Sequence, residues 1–169
     1  MALGNRKQLR VKLNQLSQKW CREGLPSRQQ VENIYINLSA WKKAHGIPGL
    51  WQPAPLLLTA TLDDAMGMGL DLIESYAALA GMHVKRLGLL MKKEDLVAAC
   101  RARQPEFIGL TMLHLDSEEA LAHVGKNLPE STRLIAGGPV FKYDPDLALR
   151  CNIAFVAGHV GHFLDYLLK

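Results

Sequence analysis

No apolar run in this 169-residue sequence reaches the roughly 18 residues that a membrane-spanning helix needs. The opening residues, MALGNRKQLRVKLNQ, lack the apolar centre of a secretory signal. Cysteine is sparse: Cys21, Cys100 and Cys151 are odd in number, widely separated and free of any C-x-x-C spacing. That argues against a disulfide framework or a clustered zinc site, and for reduced thiols in the cytoplasm. No Gly-x-Ser-x-Gly elbow, Walker loop or HExxH is present, and GMGLDL is not GxGxxG. The hydrolase, nucleotide-hydrolysing, zincin and dinucleotide-binding classes therefore gain no support. There is no solenoid-period repeat and no low-complexity stretch. With 49% hydrophobic and 21% charged residues, the remaining class is an ordinary globular protein without a membrane partner.

The charge is unevenly divided. Residues 1–52 carry nine Lys/Arg against Glu23 and Glu32, a net +7, whereas residues 53–169 carry eleven against fourteen acids, a net −3. Two parts are expected: a basic N-terminal segment, 1–52, and a body, 53–169. The basic part suits nucleic acid, reached only through these N-terminal residues, or an acidic protein partner. A solvated helix face accounts for the same charge.

Leu9, Leu13, Leu16 and Trp20 fall on one stripe of a first helix. After EGLPS, Ser27 and Gln30 form a capping box, and Val31, Ile34, Leu38 and Trp41 make a second stripe that ends at Gly46 and Pro48. Two such short helices must cover their apolar faces with the body, a partner or a ligand. Stripes containing Trp20 and Trp41 make a homodimer or a heteromer a natural expectation. Beyond the Pro- and Gly-rich GIPGLWQPAP the pattern changes. PLLLTAT, HVKRLGL, EFIGLTM, RLIAG and IAFVA read as strands, alternating with helices near 67–80, 93–103, 117–125, 144–150 and 161–168. Asp116 and Glu119 look like a capping pair, and Asp144-Pro145 like an N-cap followed by a first-turn proline. Five βα units predict an α/β fold, a flavodoxin-like (Rossmann-like) doubly wound parallel sheet of order 2-1-3-4-5, preceded by a short helical segment.

In such sheets ligands bind beyond the carboxyl ends of the strands. The unusual residues of this chain cluster there: DAMGMG after strand 1, Thr111-Met112-Leu113 after strand 3, Gly137-Gly138-Pro139 after strand 4 and Ala157-Gly158-His159 after strand 5. Glycine lets backbone and ligand approach closely, and a helix starting near Gly67 offers N–H groups to an anion. His114 is a candidate ligand at the pocket mouth. His159 and His162, three residues apart, supply only two local ligands, and loop histidines are the simpler explanation. Asp63 and Asp64 are adjacent on a turn and are expected to point apart, which disfavours paired acid–base chemistry. Cys100 and the methionines read as packing.

From Pro55 to Leu168 the sequence resembles the vitamin B12 (cobalamin)-binding domain. That family carries Asp-x-His-x-x-Gly, Ser-x-Leu and Gly-Gly after strands 1, 3 and 4; here these are Asp64, Met66 and Gly69, then Thr111 and Leu113, then Gly137 and Gly138. HVKRLG is similar to the family's second strand. The resemblance implies that the histidine position would ligate cobalt from below, with the aspartate orienting it. The Ser/Thr hydroxyl would bond the displaced nucleotide tail, and the glycines would make room for that tail. The cofactor-binding candidates are thus Asp64, Met66, Gly67, Gly69, Thr111, Leu113, Gly137, Gly138 and Gly158; those for the metal are Met66 and His114. Met66 stands where the family has histidine, and a thioether is a softer donor with no N–H for Asp64 to orient. Cobalamin bound base-on, or without a histidine below the cobalt, is then expected; haem or no cofactor is the alternative. The resemblance implies a binding module without catalysis of its own, a sensor, regulatory or cofactor-delivery protein. DAMGMGL is also similar to the family's sensory branch. The rival is a corrinoid methyl carrier serving a methyltransferase partner, although the N-terminal segment is short for that family's helical cap. The third reading is a degenerate interaction domain.

Overall fold

The computed structural model describes residues 2–65 and 67–169. Its strands are β1 (Leu56–Thr61), β2 (His83–Gly88), β3 (Phe107–Thr111), β4 (Arg133–Gly137) and β5 (Phe155–Val156), in the order β2-β1-β3-β4-β5. This is the flavodoxin-like parallel sheet expected. The registers bring Thr61 level with Thr111, and Thr111 level with Gly137, so three strand ends meet at one edge. β1 is buried along nearly all its length, which its continuous apolar run anticipates for a central parallel strand. The edge strand β2 is more open and carries Lys85 and Arg86, charges that blunt edge pairing.

The helices are α1 (Ala2–Glu23), α2 (Arg28–Ala44), α3 (Met68–Ala80), α4 (Lys93–Arg103), α5 (Glu118–Asn127), α6 (Val140–Tyr143), α7 (Leu147–Arg150) and α8 (Val160–Leu168). Two of the expected caps are not formed. Asp116 lies in a 3-10 turn, Leu115–Ser117, ahead of α5. Of the helix expected over 144–150 only α7, Leu147–Arg150, forms; its N-cap is Asp146, whereas Asp144 ends α6 and its carboxylate accepts from Arg150 at 2.6 Å. The Arg150 guanidinium first, and more weakly the backbone N–H groups of Asp146 and Leu147, hold the Asp144 carboxyl below its usual pKa.

Two compact units are distinguished. One gathers residues 1–55, 72–83 and 159–169; the other gathers 56–71 and 84–158. The first is built from α1, α2, α3 from Leu72 onward, and α8. Its core holds Leu9, Leu13, Trp20, Val31, Ile47, Tyr76, Leu79, Val160 and Leu164. Trp20, 1% exposed, meets Tyr76 edge to face at 5.4 Å, and the Tyr76 hydroxyl donates to the Val31 carbonyl at 2.8 Å. Leu9, Leu13, Trp20 and Val31 of the two stripes are buried in this unit, and Leu16, Ile34, Leu38 and Trp41 pack against it partly buried. The Ser27–Gln30 capping box is formed as expected. Much of the basic charge is also engaged locally: Arg10 donates to the Leu168 carbonyl, Arg6 to Gln52 and Lys42 to the Ala78 carbonyl, and Lys12 lies over Trp41. Burial lowers the Lys42 pKa.

The second unit contains the sheet. Leu58, Ala60, Ile108, Leu110, Leu134 and Ala136 alternate onto one sheet face and pack with Leu96, Val97 and Cys100 of α4, with Leu121 and Val124 of α5, and with Leu147. Cys100 is part of this core, and burial pushes its thiol up to about 11. It packs and does not act as a nucleophile.

Candidate functional site

The site forms in the sheet unit, where β1, β3 and β4 end. Thr61 and Asp63 organise it. The Thr61 hydroxyl donates to the Asp63 carbonyl at 3.1 Å and accepts the Leu90 N–H at 3.0 Å; the Thr61 carbonyl accepts the Met91 N–H at 2.8 Å. Leu90 is thereby held at φ +54°, a left-handed conformation that a leucine adopts only when its surroundings impose it. Asp63 is 8% exposed. Its Oδ2 accepts the N–H groups of Leu113 at 2.7 Å and His114 at 3.0 Å, and its Oδ1 accepts Ala65 N–H at 3.3 Å. The desolvation of this carboxylate is offset by charge-assisted hydrogen bonds. The loops after β1, β2 and β3 are consequently tied together by two buried polar residues.

Asp64 and His114 lie outside that knot. Both side chains are exposed, at 73% and 59%, and Asp64 Oδ1 lies 3.0 Å from His114 Nε2. The adjacent acids do point apart, as the turn implied: one holds backbone, the other an imidazole. Around them Leu89, Leu90, Leu113 and Leu115 are exposed on the loops after β2 and β3, an unusual group of large apolar side chains for loop positions.

The glycines divide by role. A Cβ on Gly138, whose φ is +122°, would sit 2.0 Å from the Met112 carbonyl oxygen, and one on Gly137 would sit 2.9 Å from that of Ala157. Met112 N–H also donates to the Gly137 carbonyl at 3.0 Å. The Gly-Gly pair is therefore demanded by strand-to-strand approach, with or without a ligand. Gly69 is different: at the start of α3 it is exposed, and among the described residues a Cβ there would meet nothing within 4 Å. Gly67, buried at φ +71°, lies beside Arg86 and Leu89. Thr111 and Gly158 also lie at this edge, the former half-buried and the latter exposed. Met66 lies outside the described residues.

A family model described as "B12 binding domain" matches residues 56–165, from the first residue of β1 into α8. The chain belongs to the B12-binding domain family. Solved structures with the same fold include a novel cobalamin-binding protein from Desulfitobacterium hafniense DCB-2. That protein is 12% identical with a TM-score of 0.76, covering 98% of this chain and 82% of the other. The Methanosarcina barkeri monomethylamine corrinoid protein is 15% identical with a TM-score of 0.59, covering 95% and 79%. No curated protein sequence matches the chain.

The residues present are compatible with the cofactor for which this B12-binding family is named. Among the described residues the edge offers an exposed Gly69 with nothing over it, an imidazole with a carboxylate partner, and exposed leucines able to face a large ring. Imidazole is a suitable nitrogen donor for a first-row metal. Sequence reasoning missed Asp63 as an organiser. Its signal was an acid directly after a buried strand, but its partners lie about 50 residues away in the chain. His159 and His162 fall in the helical unit. Their rings stack at 3.9 Å, and His159 Nδ1 accepts the Gly161 N–H at the start of α8. Among the described residues no cluster of three metal-ligating side chains occurs, and no helix is long and apolar enough to cross a membrane.

Proposed function

We propose that this chain is a corrinoid-binding module without catalysis of its own, which holds cobalamin and presents it to a protein partner as a sensor, regulatory or delivery component. The family match over residues 56–165 carries the reading. The strand-end corner supports it, because the exposed Gly69 and the exposed donors lie where ligands of such sheets bind. The sequence also lacks the hydrolase, nucleotide and zincin motifs named above.

Bound cobalamin supplies a cobalt centre able to carry an alkyl group or accept electrons. The chain's own contribution is to bind and orient. Thr61 and Asp63 fix the loops, Leu89, Leu90, Leu113 and Leu115 offer an apolar seat, and Thr111 brings a hydroxyl to the edge. Met66 in the sequence supports base-on binding, or binding without a histidine at that position.

The second reading is a corrinoid methyl carrier for a methyltransferase partner, favoured by the likeness to the monomethylamine corrinoid protein. Incubation with hydroxo-, methyl- and adenosylcobalamin followed by desalting tests both. Corrinoid absorbance should travel with the protein at micromolar concentrations; if it all separates, the chain is a degenerate domain and the proposal fails. Loss of the methyl group from bound methylcobalamin to a thiol or amine acceptor through a partner would move the assignment to the carrier.

A further inference from the structure

We infer that His114, held by Asp64, is the protein imidazole offered to the cobalt of a bound corrinoid; this rests on the corrinoid reading above. The two adjacent acids have divided one task. Asp63 fixes the His114 backbone through its N–H at 3.0 Å, and Asp64 Oδ1 takes the ring at Nε2, also at 3.0 Å. A carboxylate at Nε2 selects the tautomer protonated there, which leaves the lone pair on Nδ1. The same contact orients the ring. His114 makes no other ring hydrogen bond among the described residues.

Position and competition point the same way. His114 is exposed at the sheet edge beside the open leucines, so a ligand reaches it without displacing core residues. His159 already uses Nδ1 for the Gly161 N–H and is stacked on His162. His45 has its Nδ1 at 2.8 Å from the Trp41 carbonyl. His83 belongs to the helical unit and not to the unit that carries the site. A thioether at residue 66 is the weaker rival, having no proton for Asp64 to hold.

The test is electron paramagnetic resonance of the full chain, uniformly labelled with 15N, loaded with unlabelled cob(II)alamin. Labelled wild type should show axial nitrogen splitting as a doublet from 15N, where unlabelled protein gives a triplet. His114→Ala should lose the protein-derived splitting while keeping its circular dichroism, as befits an exposed residue. Asp64→Asn should keep the doublet and weaken corrinoid retention roughly tenfold. A triplet in labelled protein would assign the nitrogen to the cofactor's own base and overturn the inference. So would absence of axial nitrogen splitting, or a doublet that survives His114→Ala. Corrinoid that never stays with the protein overturns the binding proposal itself, and is distinguished by its recovery in the filtrate.

Discussion

Asp63 accepts the Leu113 backbone N–H at 2.7 Å across a separation of 50 residues, and this bond fixes where the loop after β3 leaves the sheet. The same oxygen accepts from His114, so one buried carboxylate sets the position of the residue whose ring meets Asp64. The site is therefore built in two tiers, a buried polar knot and an exposed pair that depends on it.

Replacing Asp63 should be costly and replacing Asp64 should not. Asp63→Ala removes the side-chain acceptor of three N–H groups, those of Ala65, Leu113 and His114, and should destabilise the fold by about 2 kcal/mol, with Asp64→Ala within about 0.5 kcal/mol of wild type. Urea unfolding measures both, and amide exchange at residues 113 and 114 should accelerate only in the Asp63 variant.

Two glycine substitutions separate architecture from binding. Gly138→Ala places a Cβ 2.0 Å from a carbonyl oxygen and should destabilise by roughly 3 kcal/mol, through overpacking and an unfavourable φ. Gly69→Ala should leave stability unchanged or raise it by up to about 0.5 kcal/mol, while lowering corrinoid affinity by about tenfold, or ~1.4 kcal/mol. Thermal unfolding and cobalamin titration of the same two proteins give the comparison.

The helical unit should fail from its aromatic centre. Trp20→Ala should cost about 3–5 kcal/mol, and Tyr76→Phe, which removes only the hydroxyl's bond to Val31, about 1 kcal/mol. Near-ultraviolet dichroism and denaturant midpoints distinguish loss of packing from loss of one bond.

Stability should also fall on acidification through His159. Burial first, and then the adjacent His162, lowers its pKa below the usual 6.5, because the folded state prefers the neutral ring whose Nδ1 accepts from Gly161. A lowered histidine pKa means that this stabilisation is fully present above about pH 6.5 and is lost as pH falls through the folded value. Denaturation curves from neutral into mildly acidic buffer should show the decline, and His159→Asn, which keeps a side-chain acceptor, should flatten it.

Much of the fold was legible in the order of apolar runs. PLLLTAT and EFIGLTM read as buried parallel strands because nearly every residue is apolar or Thr, and the sheet order followed from five βα units. The short α6 and the late start of α7 at Leu147 were not legible, because Asp144-Pro145 reads as a helix start, whereas Asp144 ends α6 and bonds Arg150. The packing of Trp20 with Tyr76 was not legible, because a stripe shows periodicity without naming what covers it. At the site, family-like spacing picked out Asp64 and Gly69. The meeting of Asp64 with His114, and the work of Asp63, arise from contacts between loops 50 residues apart that no local pattern encodes.

The most direct check on where a corrinoid sits is a two-dimensional amide spectrum of labelled protein titrated with hydroxocobalamin. Shifts should concentrate at residues 64–69, 111–114, 137–138 and 158. An unchanged spectrum, or shifts confined to the groove lined by Leu16, Trp20, Leu25 and Ile34, would place cofactor binding elsewhere and refute the strand-end site.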